Sequence, residues 1–596
     1  MEAQTQCGAD LKTQYKGEKY RLQLAKENEI TIEPLSRIEG HLGIRAIIDL
    51  ENKVYTEAHT YGTMFRGWEQ ILKNREPADA IWITQRTCGV CPTPHGIASA
   101  MAVDMAYGAP PPPMGIAIRN LLLGAEQLYD SPLGCIILEG PDYSQTVVEK
   151  SNPDWWEEAK VTFAEHSAYH GFNTIADIMR ELNPITGSIW VRSLEMEKMG
   201  RKMVTKLGAK HPHVNTLVPG GVAKTITISD MEQYVAMLSH HIAYTKQFVK
   251  IFDDLLDFVL EMGYKDCGVR ENNLVSYGCY EDPFSYNANY EDMAEFGKKR
   301  GLSPGVIIDG KLVTQDLNEI NIGIQEMVDR SYYDEWDGPK VTTDPQGNSL
   351  TKYHPWNKET KPVPGPYKNW EGKYSWGTSI RWNDWKGRVN SELNTVELGP
   401  IARMWSTAQG KLVPESTGHS IKFTIPRATV AGYRNSEEME LEWKIPEHVN
   451  TVERVRARAY YHAYSAYITY NQVLAGLGLV KSGDVKVWNK YKKNKNGIGV
   501  GMHEAMRGGV AHWVVMKNSR VENYQIMAPS TWNAGPRLGE TDYSPYEGAI
   551  IGTPVTEEAP INGVDVVRTI RSFDPCLACC VQVYRGDDEI IHISEI

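Results

Sequence analysis

The sequence predicts a predominantly helical α+β protein with a central bundle of long helices and small sheets at its periphery. Apolar residues recur at helical spacing in three long segments, 116–128, 231–258 and 451–473. Apolar and polar residues alternate in two short segments, 41–50 and 510–516, as they do in half-buried strands. Because long amphipathic helices bury their apolar faces against one another, we expect the three helical segments to form the bundle.

The chain of 596 residues is longer than most single hydrophobic cores. No Gly/Ser-rich or charged low-complexity linker divides it, so we predict one interdigitated domain over residues 1–596. Residues 330–395 are rich in Trp, Tyr, Pro, Gly and Asn and have little periodicity, which predicts a long ordered excursion. Its aromatic side chains either cover a partner surface or, the interpretation we favour, pack on the protein's own core.

Composition excludes several classes of protein. A net charge of −12 argues against a nucleic-acid partner, which would need a basic face. No apolar run reaches the length of a transmembrane helix, and the first residues lack the charged and apolar regions of a signal peptide. We therefore expect a cytoplasmic protein, or one associated peripherally with a membrane through its partners, with export on a partner's signal left open. Five cysteines show no disulfide pattern and fit free thiols: Cys7, Cys135, Cys267, Cys279 and Cys580.

The other four cysteines form two Cys-x-x-Cys motifs at opposite ends of the chain, Cys88-Gly-Val-Cys91 and Cys576-Leu-Ala-Cys579. Two intervening residues let both sulfurs of a pair point the same way. Four thiolates suit zinc, an iron–sulfur cluster, or a thiolate-bound nickel or iron centre. A structural zinc ribbon spaces its pairs by roughly 15–20 residues. The much longer separation here favours a catalytic metal centre over a structural one.

The residues that precede each cysteine pair predict the local backbone conformation there. Pro77 opens a segment that predicts a helix as far as Thr87, with the first cysteine pair at its end and with Pro92 and Pro94 stopping it. Residues 571–575 predict an extended approach to the second pair, because a residue that precedes proline disfavours helical geometry.

With these flanks, the two motifs resemble the two signatures of the large subunit of nickel-iron hydrogenases: Arg86-Thr-Cys-Gly-Val-Cys-x-x-x-His95 and Asp574-Pro-Cys-Leu-Ala-Cys579. Further segments are similar to family segments in family order, namely 37–41, 65–69, 211–213, 219–222, 396–404, 504–507 and 529–533. The resemblance covers essentially the whole chain. It implies the hydrogenase large-subunit fold and the reversible heterolytic cleavage of H2 into protons and electrons. Residues 105–108 and 142–153 resemble the high-affinity actinobacterial-type uptake enzymes most, which implies H2 oxidation as the physiological direction.

The resemblance also implies the cofactor and the partner. Nickel would be held by Cys88, Cys91, Cys576 and Cys579, and Cys91 and Cys579 would bridge it to an iron that carries one carbon monoxide and two cyanides. Since no remaining cysteines have a cluster-binding spacing, electrons must leave through another chain. The implied partner is a small subunit with iron–sulfur clusters, in a dimer of heterodimers or a larger assembly.

Four residues match family positions around this centre. Arg507 and Ser530 would donate hydrogen bonds to the cyanides, and Arg507 could also polarise a molecule bound at the open metal site. Asp130 and Asp574 would fix the orientation of Arg507. Without the resemblance, an arginine with two aspartates would indicate a structural ion-pair network. One departure is Met506, which stands where related enzymes often have proline.

The proton relay is assigned by the same resemblance. Cys576 would accept the proton of H2 first, and Glu39 would pass it outward if burial raises its pKa. His95 would donate a hydrogen bond to a bridging cysteine sulfur. Without the resemblance, a glutamate in a Gly-containing loop is usually solvated, and a single histidine is usually a core residue whose hydrogen bonds are made within the protein.

The C-terminus departs from the family. Relatives have a histidine three residues after the last cysteine, where a maturation protease cuts and a magnesium ion is held, whereas this chain has Gln582. We predict that residues 583–596 are retained as a C-terminal tail. Glu69 matches another magnesium-binding position of the family. A divalent ion, magnesium or another, would therefore be coordinated by Glu69 and by the neutral amide oxygen of Gln582 in place of an imidazole.

Three alternatives stay open at this point. A non-catalytic descendant, such as the related quinone-module subunit of respiratory complex I, would have lost the cysteines, yet all four are present. An H2-sensing regulatory subunit would share the metal centre, and slow turnover with an artificial dye would distinguish it. A zinc-stapled structural subunit of a redox complex is the third alternative.

Overall fold

The computed structural model describes residues 28–363, 368–389 and 393–577. The strands in these ranges are β1 (Glu29–Ile32), β2 (Leu42–Asp49), β3 (Val54–Gly62), β4 (Leu217–Val218), β5 (Gly221–Val222), β6 (Leu274–Ser276), β7 (Gly305–Ile308), β8 (Lys311–Thr314), β9 (Ile324–Met327), β10 (Ser379–Trp382), β11 (Ser420–Ile425), β12 (Met439–Lys444), β13 (Gly497–Ala505), β14 (Gly508–Lys517) and β15 (Arg520–Met527). They pair antiparallel in small sheets, three of them three-stranded in the orders β1-β2-β3, β6-β7-β8 and β13-β14-β15.

The helices surround and separate these sheets. They are α1 (Trp68–Leu72), α2 (Ala80–Ile83), α3 (Pro92–Tyr107), α4 (Pro113–Pro132), α5 (Gln145–Ser151), α6 (Pro153–Ala159), α7 (Ser167–His170), α8 (Ile175–Glu181), α9 (Ser188–Gly208), α10 (Ile228–Glu261), α11 (Met293–Gly297), α12 (Leu317–Gly323), α13 (Pro400–Gly410), α14 (Thr451–Ser482), α15 (Pro529–Asn533), α16 (Pro545–Ile550) and α17 (Val564–Ser572). None of the helices in the described ranges has the length and apolar character needed to cross a bilayer.

The predicted helix bundle is present. The three segments with helical periodicity lie within α4, α10 and α14, and α4 packs against α9 and α14 while α10 packs against α14. The start of α10 is fixed by a capping box between Thr227 and Asp230, and α14 is capped by the Asn450 side chain, which accepts a hydrogen bond from Glu453 N. Both strand predictions are also confirmed, in β2 and β14.

Helix α3 lies directly on strand β13. A Cβ atom at Gly501 would fall 1.8 Å from the carbonyl oxygen of Ala98, so only glycine permits this close approach of strand to helix. Because α3 begins right after the first cysteine pair, the contact ties that pair to the C-terminal sheet.

Helix α4 does not end in an ordinary cap. It continues into a π-helical turn, Leu133–Glu139, directly after Pro132. Such turns are rare and are found often at functional sites. This one carries Gly134 and Glu139 toward the segment that precedes Cys576, as described below.

The aromatic excursion packs on the protein's own core in its described part, as favoured from the sequence. Tyr332, Tyr333, Trp336 and Trp376 are buried with the apolar side chains of the N-terminal sheet. Trp356 and Trp382 belong to the large core of the helix bundle.

Both predictions about the cysteine flanks need correction. Residues 77–87 are not one helix but two 3-10 turns around α2, and Pro92 begins α3 instead of ending a helix, because proline is favoured at the first helical position. Residues 571–572 complete α17, and Asp574 has a left-handed φ of 54° instead of an extended one. The preceding-proline rule excluded right-handed helical geometry at Asp574 but did not select the region that replaced it.

Candidate metal centre

Three cysteine sulfurs from opposite ends of the chain converge in the interior. Cys88 Sγ lies 3.5 Å from Cys576 Sγ, and Cys91 Sγ lies 3.8 Å from Cys576 Sγ. All three residues are buried, and they form the one group of metal-ligating side chains found in the described ranges. Such a set of soft donors suits a thiolate-bound transition metal. The fourth predicted ligand, Cys579, and the predicted ion ligand Gln582 lie outside the described residues.

The first pair forms a tight loop between a 3-10 turn and α3. Cys88 is extended, and its sulfur accepts hydrogen bonds from the backbone amides of Val90 and Cys91 at 3.3 and 3.1 Å. These two hydrogen bonds fix the position of the Cys88 sulfur. Met506, the departure from family proline, is buried against these cysteines and is part of the wall of the site.

Cys576, the first cysteine of the second pair, is held by the N-terminal segment. Glu39 and Cys576 form a parallel backbone bridge, in which Glu39 N donates to Pro575 O at 3.1 Å and Leu577 N donates to Glu39 O at 2.6 Å. The carboxyl group of Glu39 reaches the cysteines, with Oε1 at 3.9 Å from Cys88 Sγ. Burial and the nearby Cys88 raise the pKa of Glu39 to about 7, against the opposing effects of Arg507 and Arg66.

Arg507 lies at the two-residue turn between β13 and β14, which points it into the interior. Its Nη1 donates to Asp130 Oδ2 at 2.8 Å and its Nη2 lies 3.0 Å from Asp574 Oδ1, with all three side chains buried. The structure therefore brings Arg507, Asp130 and Asp574 together. Burial alone would lower the pKa of the guanidinium, but Asp130 and Asp574 raise it well above its ordinary value and keep it charged.

Ser530 lies in the first turn of α15, and its hydroxyl oxygen accepts a hydrogen bond from Cys576 N at 2.8 Å. The hydroxyl proton of Ser530 can thus point elsewhere. The contact fixes the backbone at a predicted ligand, and it places a donor beside the sulfurs.

His95 lies in the first turn of α3, fully buried, and burial lowers its pKa to about 4. Its Nδ1 atom is 3.0 Å from Nε2 of His512 on β14. Both imidazoles are therefore neutral, since burial also holds the pKa of His512 well below its usual range.

Glu69 is buried beside a cavity of about 20 Å³, large enough for an ion or a water molecule. Lys358 Nζ lies 2.7 Å from Glu326 Oε1 in the same wall, and Gln525 Nε2 donates to Glu326 Oε2 at 2.7 Å. The lining combines oxygen donors of the kind that divalent ions prefer with the Lys358 ammonium group, which opposes a cation.

Sequence reasoning missed several residues of this region. Gly134 leaves room for Asp574, since a Cβ there would fall 2.8 Å from Asp574 Oδ2. Glu126 accepts hydrogen bonds from Thr93 N at 3.2 and 3.3 Å and so holds the start of α3. Glu139 Oε2 lies 3.4 Å from Arg458 Nη1, and Arg458 Nε lies 3.9 Å from Asp574 Oδ2. Their positions depend on long-range packing, and no local motif marks them.

A profile of the nickel-dependent hydrogenase family matches residues 66–155 and 158–582. The chain belongs to that family. A second profile, described as HoxL-like, matches residues 29–59.

Relatives of the hydrogenase match over nearly their full length. The Hydrogenase-2 large chain of Escherichia coli K12 is 32% identical, and the match covers 95% of this chain and 99% of the relative. The uptake hydrogenase large subunit of Rhizobium leguminosarum bv. viciae is 29% identical, with 94% and 96% covered. The solved actinobacterial-type NiFe-hydrogenase from Ralstonia eutropha H16 superimposes with a TM-score of 0.90 at 38% identity, covering 93% of this chain and 100% of that one. The predicted fold class and the hydrogenase function are therefore confirmed.

Proposed function

We propose that this hydrogenase subunit oxidises H2 physiologically, at a nickel-iron centre held by Cys88, Cys91, Cys576 and Cys579. The observation that carries the proposal is the convergence of three buried sulfurs at the predicted positions, with Cys576 Sγ 3.5 Å from Cys88 Sγ and 3.8 Å from Cys91 Sγ. Cys91 and Cys579 would bridge to the iron, which would carry one carbon monoxide and two cyanides. The donor set fits, because thiolates are soft ligands for nickel and iron.

The bound metals would supply the Lewis acidity that polarises H2. The protein's part is to accept the proton in a buried site. Cys576 is the first acceptor in this proposal, and Glu39 follows, since its backbone is bridged to Cys576 and its carboxyl group lies 3.9 Å from Cys88 Sγ. A carboxyl group whose pKa is about 7 can both receive and release a proton near neutral pH.

Arg507 would hold a positive charge over the site. Its two carboxylate partners, Asp130 and Asp574, fix the guanidinium plane from both sides at 2.8 and 3.0 Å. Arg507 and Ser530 would donate to the cyanides, and His95 would donate to a bridging sulfur. These groups are preorganised, so they need not reorient when charge develops.

The subunit would work within a larger assembly. We expect a small subunit with iron–sulfur clusters as the electron acceptor, in a dimer of heterodimers or a larger complex, either in the cytoplasm or bound peripherally to a membrane through partners. A magnesium or other divalent ion would lie between Glu69 and Gln582. The chain would act as one interdigitated catalytic domain that keeps its tail, residues 583–596.

The test is infrared spectroscopy of the purified complex, recorded under argon and under H2, with nickel and iron quantified in the same sample. One carbonyl band and two cyanide bands that shift under H2 are expected. Fully metallated protein without these bands would contradict the proposed centre. Rapid reduction of an artificial dye by H2 supports an enzyme, whereas very slow reduction would indicate the H2-sensing alternative.

A further inference from the structure

A continuous chain of hydrogen bonds leads away from His95 through residues that the proposed function does not use. His95 Nδ1 lies 3.0 Å from His512 Nε2, and His512 Nδ1 lies 2.9 Å from the hydroxyl of Tyr524. The Tyr524 hydroxyl oxygen lies 2.8 Å from Ser99 Oγ. Every member of this chain is fully buried, so no bulk water competes for these bonds.

The chain joins two elements of the fold. His95 and Ser99 are one turn apart on α3, whereas His512 lies on β14 and Tyr524 on β15. Helix α3 begins at the residue after Cys91 and lies against this sheet. The polar chain therefore fixes the rotation of the first turn of α3 relative to the sheet, which apolar contacts between the same elements could not do with equal specificity.

Proton counting shows that the members are not independent. A neutral imidazole has one N–H donor and one lone pair, and a phenol has one proton to donate. With Tyr524 donating to Ser99, His512 must donate from Nδ1 and accept at Nε2, so His95 carries its proton on Nδ1. With Tyr524 donating to His512 instead, every bond reverses and His95 carries its proton on Nε2. Each residue keeps the same number of protons in both arrangements.

The position of that proton decides what His95 offers to the metal centre. Nδ1 is occupied by His512, which leaves Nε2 as the ring nitrogen available to the metal centre, and His95 lies in the first turn of α3, which begins directly after Cys91. Only the tautomer with its proton on Nε2 can donate to a thiolate sulfur. The hydroxyl of Tyr524 therefore controls, through His512, whether His95 donates or accepts there.

We propose that His512 and Tyr524 are positioning residues that hold the His95 ring in one orientation and set its tautomer, and thereby tune the cysteine sulfurs of the metal centre. This inference rests on the proposed function, because it concerns the hydrogen bond from His95 to a bridging sulfur. Groups that contact a metal ligand typically change activity about 10- to 100-fold when they are removed, and His512 and Tyr524 would act through such a group, His95.

The experiment compares three variants of the whole complex by infrared spectroscopy and H2-dependent dye reduction. His512→Phe removes both nitrogens, His512→Gln keeps one acceptor and one donor, and Tyr524→Phe removes only the hydroxyl. Tyr234→Phe is the matched control, because it removes another buried hydroxyl, which donates to Leu121 O at 2.7 Å. Nickel content and melting temperature of each variant are measured alongside.

We expect His512→Phe and Tyr524→Phe to shift or split the carbonyl and cyanide bands and to lower turnover about tenfold or more. His512→Gln should restore the bands toward those of the unmodified complex, and Tyr234→Phe should leave them in place. Unchanged bands and turnover in metallated Tyr524→Phe would overturn the inference, as would equal effects of Tyr524→Phe and Tyr234→Phe. An unmodified complex without any such bands would instead refute the proposed function itself.

Discussion

Replacing Gly134 by alanine tests whether the position of Asp574 controls the Arg507 network. The added Cβ would lie 2.8 Å from Asp574 Oδ2 and 3.3 Å from Asp574 Cγ. Ordinary contact begins at 3.4 Å, so the carboxylate must move by roughly 0.6 Å. Such a shift would disturb the buried 3.0 Å ion pair between Arg507 Nη2 and Asp574 Oδ1.

The energetic effect has two opposing parts. Alanine in a helical turn gains about 0.5–1 kcal/mol over glycine, whereas overpacking of a filled interior costs about 1–3 kcal/mol. Weakening this buried ion pair adds a further cost of about 1 kcal/mol or more. We therefore expect Gly134→Ala to lower the free energy of unfolding by about 1–3 kcal/mol. Because Arg507 would lose one of its two supports, H2 oxidation should fall about tenfold or more.

Gly478→Ala is the matched control. Gly478 lies in α14, and apart from its chain neighbours and the backbone of its own helix no atom lies within 4 Å of the Cβ that alanine would add. Thermal unfolding and dye-linked H2 oxidation are measured for both variants. The control should be as stable as the original protein or slightly more so, with unchanged turnover. If Gly134→Ala behaved like the control in both assays, the argument from the Asp574 contact would be refuted.

Three further predictions concern individual side chains. Glu39→Gln should lower H2 oxidation about 10²- to 10⁴-fold with nickel retained, and a rate close to that of the original enzyme would exclude Glu39 as the proton relay. Burial raises the pKa of Glu139 from 4.5 to about 8, so between these pH values the folded chain binds more protons than the unfolded chain and loses stability as the pH rises. The free energy of unfolding of Glu139→Gln, measured with urea, should therefore depend less steeply on pH between pH 5 and 8. An identical slope would count against the raised pKa of this carboxyl group. Cys576→Ser should reduce bound nickel sharply in elemental analysis, because a hydroxyl is a poor substitute for a soft thiolate, and full nickel occupancy would argue against Cys576 as a ligand.

The sequence predicted those features that depend on local pattern. The periodicity of α4, α10 and α14 is long enough to specify helices, although α14 continues to Ser482, beyond the periodic segment. The termini of elements and the π-helical turn at Leu133–Glu139 were not predictable, because they depend on which atoms the chain meets after folding. The predicted conformations of the segments that flank the cysteine pairs were wrong for the same reason.

The candidate site shows a similar division. The cysteines could be found from their spacing, and Arg507 with Asp130 and Asp574 from the resemblance to a family. The contacts of Gly134 with Asp574 and of His95 with His512 join segments that are remote in the sequence. A lone glycine or histidine carries no signal of such a contact, so these residues emerged only from the fold.

The backbone bridge between Glu39 and Cys576 means that the metal site cannot form until the C-terminal segment has been synthesised. Cys91 and Cys576 are 485 positions apart, so a ribosome that adds about 5–20 residues per second needs roughly 25–100 s between them. During that interval the first cysteine pair and Glu39 have been made but lack the segment that completes their pocket. Insertion of the metal is therefore confined to the end of translation or later, and reactive thiols must be protected from oxidation until then.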